Sequence, residues 1–116
     1  MEQHYAQTEY VSDLEALIFQ HKHLSVGCEA ERNVLEKLIT ETKSKCDTVV
    51  EDLKKFDEAS NSDEKKNLTK KLFCEMSKLK YYREKLEDCK QRATAVNGQL
   101  QDLMMQRLHM DVVHGI

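Results

Sequence analysis

Proline and tryptophan are absent from this chain, and glycine occurs only three times in 116 residues. Because proline and glycine are the residues that most often end helices and form turns, their scarcity excludes a fold of many short elements. Charged residues make up 34% of the chain and hydrophobic residues 40%, a mixture typical of long solvated helices. We therefore expect an all-α protein with few, very long helices.

Long hydrophobic runs are also missing. No apolar run approaches the roughly 18 residues that a helix needs to cross a bilayer, and the first ten residues have neither the basic flank nor the apolar core of a signal peptide. We expect a soluble intracellular protein, cytoplasmic or nuclear.

An apolar repeat of 3.5 residues runs through the second half of the chain and is interrupted only by Glu75. Such a repeat keeps one stripe of a helix facing a partner helix, as in a coiled coil. We call this stripe the seam, and Glu75, Cys89 and Ala93 complete it. Its predicted partner-binding side chains are Leu68, Leu72, Leu79, Tyr82, Leu86, Val96, Leu100 and Leu103.

A similar repeat in the first half of the chain predicts the other helix. Its predicted seam shifts by one residue at Glu31, which forms a local 11-residue repeat and relaxes the left-handed supercoil there. The predicted positions are Tyr10, Leu14, Leu17, His21, Leu24, Cys28, Glu31 and Leu35, followed by Ile39, Thr42, Cys46, Val49, Leu53 and Phe56.

Residues 59–63 form the densest cluster of helix-capping residues. Asn61 with Glu64, or Ser60 with Asp63, fits the capping box that starts a helix. The twelve residues from Phe56 to Leu68 fit neither a heptad nor an 11-residue repeat, so one unbroken helix would bury its halves on different faces. The sequence predicts one elongated domain: a frayed N-terminus (1–8), a long helix (9–58), a turn (59–63) and a second long helix (64–113).

Charge favours folding the two helices against each other. Residues 9–58 contain twelve acids and seven bases, whereas residues 65–92 contain ten bases and four acids. An acidic helix and a basic helix attract, so we predict an antiparallel helical hairpin. Burial along one seam is small against the entropy of ordering about 100 residues, and we therefore expect the hairpin to belong to a larger multi-helix bundle.

Apolar residues outside the seam concentrate near both ends of the chain. In the first helix two of them fall at heptad position e and two at position f, and five more lie off the seam near the C-terminus. Folding at the turn brings the two groups to the open end of the hairpin, and a large exposed apolar surface usually marks an interface. The predicted partner-binding residues are Val11, Ile18, Phe19, Val26, Met104, Met105, Leu108, Val112 and Val113.

The four cysteines are spaced too widely for the short pairs of zinc sites. A hairpin places Cys28 near Cys89 and Cys46 near Cys74, an arrangement that resembles the twin-cysteine helical hairpins oxidised in the mitochondrial intermembrane space. Their usual nine-residue spacing is absent, and Cys74 turns away from the seam. We expect free thiols acting as small hydrophobic groups, and structural disulfides are the alternative.

No motif for catalysis, phosphate binding or metal binding occurs, so we expect no enzyme activity, no cofactor and no metal site. His21 and His23 point to different faces of a helix, and His109 and His114 are no better placed. The basic run is spread around the second helix, in a chain of formal charge -3, whereas nucleic-acid readers concentrate basic charge. Its members are Lys65, Lys66, Lys70, Lys71, Lys78, Lys80, Arg83 and Lys85.

These features predict a non-enzymatic coiled-coil structural subunit or adaptor that packs against other helical proteins or its own copy. In architecture the chain resembles small two-helix subunits of kinetochore, centrosomal, ciliary and vesicle-tethering assemblies. One alternative is a twin-cysteine protein of the intermembrane space. Another is a rod that binds nucleic acid or a microtubule through the basic second helix.

Overall fold

The computed structural model describes the backbone of residues 2–114 and the side chains of residues 9–113. It contains two α-helices, α1 (Glu2–Leu53) and α2 (Asp63–His114), joined by residues 54–62. The helices pack against each other, and no strand occurs among the described residues. The predicted all-α helical hairpin is therefore confirmed.

The helix ends differ from those predicted. Helix α1 begins at Glu2 where a frayed segment was expected, because residues 2–8 contain no proline or glycine to stop it. It ends at Leu53, before the predicted residue 58, and the chain then continues with hydrogen bonds between residues three apart. The amide of Lys55 donates to the carbonyl of Asp52 at 3.3 Å, and that of Phe56 to the carbonyl of Leu53 at 3.1 Å. Such bonds satisfy carbonyl groups that a helix end leaves free.

Ser62 is the N-cap of α2, so both predicted capping boxes are wrong. Its hydroxyl accepts a hydrogen bond from the amide of Lys65 at 3.2 Å, and its carbonyl accepts one from the amide of Lys66 at 3.1 Å. The ammonium group of Lys65 donates to the carbonyl oxygens of Asp57 and Glu58, both at 3.1 Å. One side chain of α2 therefore holds the turn that precedes it.

Replacing Ser62 with Ala is expected to lower the free energy of unfolding by about 1 kcal/mol, the usual cost of losing an N-cap. Asn61→Ala is the matched control, because Asn61 makes no capping bond in the described structure, and it should change stability by less than about 0.5 kcal/mol. Urea unfolding followed by circular dichroism measures both. A larger loss for Asn61→Ala would contradict the assignment of the cap.

The chain divides into two compact units, which we name the turn unit, because it contains the turn, and the open unit, because it contains the two ends of the chain. The turn unit is Glu31–Asp88. The open unit combines the described residues up to Ala30 with those from Cys89 onward. In the turn unit the buried residues include Leu35, Cys46 and Val49.

In α2, the predicted seam matches the pattern of burial. Between residues 68 and 103, every seam position is buried or half-buried, and Thr69 is the only other residue that is not exposed. The eight predicted partner-binding side chains of the seam are all half-buried, so they lie on the face of α2 that packs in the hairpin. The same stripe continues to Arg107 and Met110.

In the first part of α1, Leu14, His21 and Cys28 are buried or half-buried as predicted, but the three seam positions that alternate with them were predicted one residue out of place. Tyr10, Leu17 and Leu24 are 47%, 42% and 53% exposed, whereas Val11 and Ile18, like Ser25, are half-buried. A stripe that starts at Val11 keeps the 3.5-residue spacing except at position 32, where Arg32 is exposed and Glu31, a predicted seam residue, is half-buried instead. Its members are Val11, Leu14, Ile18, His21, Ser25, Cys28, Leu35, Ile39, Thr42, Cys46, Val49, Leu53 and Phe56.

The interior of the turn unit contains two buried polar residues, Thr42 and Glu75. One carboxylate oxygen of Glu75 pairs with the ammonium group of Lys78 at 3.4 Å. The other is buried without a hydrogen-bond partner in the described structure. A buried acceptor without a partner costs free energy, so Glu75 interrupts the apolar seam at the expense of stability.

Candidate protein interface

Side-chain hydrogen bonds join the two helices of the open unit and fix their antiparallel order. Each bond pairs a residue of α1 with one of α2. As the residue number in α1 increases, the number of its partner in α2 decreases. The distances are 3.3 Å from Tyr10 Oη to Gln106 Oε1, 3.0 Å from His21 Nε2 to Gln99 Oε1, and 2.7 Å from Ser25 Oγ to Asn97 Oδ1.

Arg107 adds a charged connection at the same half of the hairpin. Its guanidinium donates to Glu15 on α1, at 3.2 Å from Nε and 3.1 Å from Nη2, and to Asp111 on its own helix. Burial lowers the pKa of Arg107, but the hydrogen bonds and charges of Asp111 and Glu15 raise it, and the net shift is upward. The side chain therefore stays protonated and continues to bridge the helices.

The cysteines of the open unit lie in its interior. The thiol of Cys89, which is fully buried, donates to the carbonyl oxygen of Cys28 at 3.2 Å. All four cysteines are thiols and not disulfides; Cys28, Cys46 and Cys89 are buried, and Cys74 is exposed. The buried thiols occupy seam positions, where they pack as small hydrophobic groups.

Brief treatment of the folded chain with iodoacetamide is expected to modify Cys74 and leave the three buried cysteines unmodified. Burial prevents contact with the reagent until the helices open. Mass spectrometry of peptides from folded and urea-unfolded protein measures the difference. Equal modification of all four thiols, or two internal disulfides in the purified protein, would contradict this arrangement.

The open unit contains two facing segments that have almost no charge, and we name them together the low-charge band. They are residues 16–28 of α1 and residues 93–106 of α2. Lys22 is the only Asp, Glu, Lys or Arg in the first segment, and Asp102 is the only one in the second. The chain as a whole is 34% charged, so the band is a local departure from its composition. The bonds from His21 to Gln99 and from Ser25 to Asn97 show that the two segments pack side by side.

Large apolar side chains are exposed within the band. A helix that faces water normally carries charged or polar residues on its outer side, whereas here Lys22 and Asp102 are the only Asp, Glu, Lys or Arg residues on the outer sides. The exposed fractions are 42% for Leu17, 72% for Phe19, 53% for Leu24, 66% for Val26, 48% for Met104 and 64% for Met105. Exposed apolar surface of this kind is typical of an interface.

The predicted open-end residues divide into two groups. Val11 and Ile18 are half-buried, because they belong to the packed face of α1, so they are not part of a free apolar surface. The other seven are exposed: Phe19, Val26, Met104, Met105, Leu108, Val112 and Val113.

The sequence had suggested that these residues form one surface. The exposed members instead lie on the outer sides of two different helices. Phe19 follows the buried Leu14 by five residues, which is about 140° around the helix, so it points away from α2. Met105 follows the half-buried Leu103 by two residues, about 200°, and points away from α1. Each helix therefore has its own apolar outer face.

A groove alongside the seam is a surface that the sequence did not predict. It was missed because Leu17, which lines it, had been assigned to the seam itself. A scan of charge along the sequence reveals the low-charge band, but a search for repeats does not. The residues that line the groove are Leu17, His21, Gln99, Asp102, Leu103 and Gln106.

The described residues contain no group of three or more His, Cys, Asp or Glu side chains placed to hold a metal ion. Neither helix, as far as it is described, has a stretch long and apolar enough to span a membrane. No family model, curated protein or solved structure matches the chain.

Proposed function

We propose that this chain is a non-enzymatic coiled-coil subunit or adaptor that contributes its helical hairpin to a larger protein assembly. The observation that carries the proposal is the low-charge band, with Leu17, Phe19, Leu24, Val26 and Met105 exposed on it. The assembly is of the cytoskeletal, kinetochore, centrosomal or tethering type, in which helical subunits pack side by side.

The contrast between the two units supports this role. Outside the band, charged residues recur along both helices, as solvated helix faces require. Inside it, the exposed positions other than Lys22 and Asp102 are apolar, small or uncharged, so contact with further helices removes apolar surface from water without stripping water from many charges.

The partner is another helical protein or a second copy of the chain, bound through an apolar helix stripe. Gln99 and Gln106, which line the groove, offer amide groups beside this apolar surface. A few polar groups at an apolar interface set orientation and specificity. Cysteines that pack as thiols, three of them buried, support an assembly in a reducing compartment, the cytoplasm or nucleus.

Site-specific photo-cross-linking of the full chain in cells tests the proposal. A photoreactive residue replaces Leu24 or Met105 in the band, or Lys43 or Lys55 as exposed controls outside it. We expect a discrete adduct from the band positions and none from the controls, and sedimentation velocity of the purified chain shows whether the adduct is a second copy. Absence of a band-specific adduct, together with a monomeric chain in solution, would refute the proposed role.

A further inference from the structure

A second apolar surface lies on α2 in the turn unit, separate from the low-charge band. Phe73 and Met76 are 67% and 52% exposed there, close to half-buried Leu79. Together they form the apolar floor of a shallow groove whose lining residues are Phe73, Met76, Ser77, Leu79, Lys80, Arg83, Glu84 and Glu87.

The groove follows a second stripe with the spacing of a coiled coil. Starting at Phe73, its positions alternate steps of three and four residues, each one residue beyond a member of the seam. A stripe with this spacing keeps the same face along a helix and fits a partner that is itself a helix. The positions are Phe73, Met76, Lys80, Arg83 and Glu87.

Basic residues surround the apolar pair. Lys66 and Lys80 lie seven residues before and after Phe73, Lys70 lies three residues before it, and Arg83 lies seven residues after Met76. Positions three, four or seven apart share one face of a helix. None of these four cationic groups forms a hydrogen bond or ion pair within the described part of the chain. The face therefore combines exposed apolar area with positive charge that lacks a partner.

We propose that this face binds an amphipathic, acidic α-helix of another protein. The apolar residues of the partner helix cover Phe73 and Met76, and the carboxylates of the partner helix lie against Lys66, Lys80 and Arg83. Helices that dock in this way place apolar anchors at intervals of three and four residues, and complementary charge at the rim selects the partner and its orientation.

The chemistry of the face distinguishes this helix from other occupants. A second copy is a poor fit, because α2 is itself basic and α1 does not surround its exposed apolar residues with acids. Residues 16–28, which include Phe19 and Val26, contain no Asp or Glu, and in the turn unit Val34 and Val50 lie sixteen residues apart. Phe73 and Met76 are exposed at the floor of the groove, and the phosphate groups of nucleic acids and lipid headgroups offer no apolar surface to cover them.

Nuclear magnetic resonance with two synthetic peptides tests the proposal. The peptides have the same leucines at heptad positions a and d and differ only at the flanking positions, which are all Glu in one and all Lys in the other. We expect the acidic peptide to shift the amide signals of residues around Phe73, Met76, Lys80 and Arg83 in the ¹⁵N-labelled full chain. Its affinity should fall as salt rises, because exposed charge pairs are screened, and the basic peptide should bind about tenfold more weakly or worse.

Three variants make the test specific to the groove. Phe73→Glu with Met76→Glu should weaken the acidic peptide by about tenfold or more. Lys80→Glu with Arg83→Glu should reverse the preference between the peptides. Tyr81→Glu is the matched control, since Tyr81 is 55% exposed but lies about 140° around the helix from Met76, and it should leave binding unchanged. Circular dichroism confirms that each variant keeps its helicity.

Several outcomes would overturn the proposal. These are equal binding of the two peptides, shifts confined to other residues, or a preference that Lys80→Glu with Arg83→Glu does not reverse. Binding of a DNA duplex or anionic vesicles at the same residues would assign the face to phosphate groups. Self-association that Phe73→Glu with Met76→Glu abolishes would assign it to a second copy. The result does not depend on the low-charge band, whose residues none of these variants alters.

Discussion

Replacing Val49 with Asp is expected to lower the free energy of unfolding by about 3 to 5 kcal/mol, because the carboxylate would enter the interior of the turn unit without a partner. Val49 is 2% exposed, among the most buried side chains in the structure. The same change at Val50, which is 38% exposed, should cost less than about 1 kcal/mol. The two variants lose the same side chain, gain the same charge and pay the same helix propensity, so their difference isolates burial.

Urea unfolding of the full chain, followed by circular dichroism at 222 nm, measures both values. The midpoint for Val49→Asp should fall well below that of the wild type, and the midpoint for Val50→Asp should lie close to it. Equal losses for the two variants would show that the register of α1 in the turn unit is wrong.

Most of the fold could be predicted because one helix has an unambiguous repeat. In α2 each seam position is flanked mainly by polar or charged residues, as Leu86 is by Lys85 and Glu87, so only one stripe could be buried. Near the start of α1 the sequence gives two adjacent choices at each step. Tyr10 precedes Val11, and Leu17 precedes Ile18. A repeat of apolar residues cannot choose between neighbours of similar hydrophobicity, and packing against α2 decides the register.

The N-cap of α2 could not be predicted for a similar reason, because several neighbouring residues suit the position equally well. Ser60, Asn61, Ser62 and Asp63 are all residues that cap helices well, so composition places a helix start here without selecting the cap. The choice of Ser62 depends on backbone geometry and on the bonds from Lys65 to the carbonyl groups of the turn. Neither can be read from residue types alone.

The candidate interface was predicted in part. The excess of apolar residues toward both ends of the chain was visible in the sequence, and seven of the nine named residues are exposed. Their division between the outer faces of two helices follows from the register of α1, which the sequence did not fix. The scarcity of charge in residues 16–28 and 93–106 was also present in the sequence, but it gains significance only when the hairpin brings the two segments together.

Replacing Phe19 and Met105 together with Glu is expected to abolish assembly, with partner affinity reduced about a hundredfold or more. The two side chains are 72% and 64% exposed, so the free hairpin should tolerate Glu at both positions and keep most of its helicity. In the assembly, each carboxylate would enter an apolar contact and lose its water without gaining a partner, because Lys22 is the only Lys or Arg in the low-charge band. The measurement is the yield of the adduct from a photoreactive residue at Leu24, with sedimentation velocity for self-association.

Val34→Glu with Val50→Glu is the matched control, because it also places two carboxylates at exposed apolar positions, 59% and 38% exposed, but outside the low-charge band. This control should assemble like the wild type. The single variants show which helix contacts the partner. If the partner contacts only α1, Phe19→Glu alone should abolish assembly and Met105→Glu alone should leave it unchanged. Normal assembly of the Phe19 and Met105 double variant would show that the low-charge band is not the site at which this chain joins its partners.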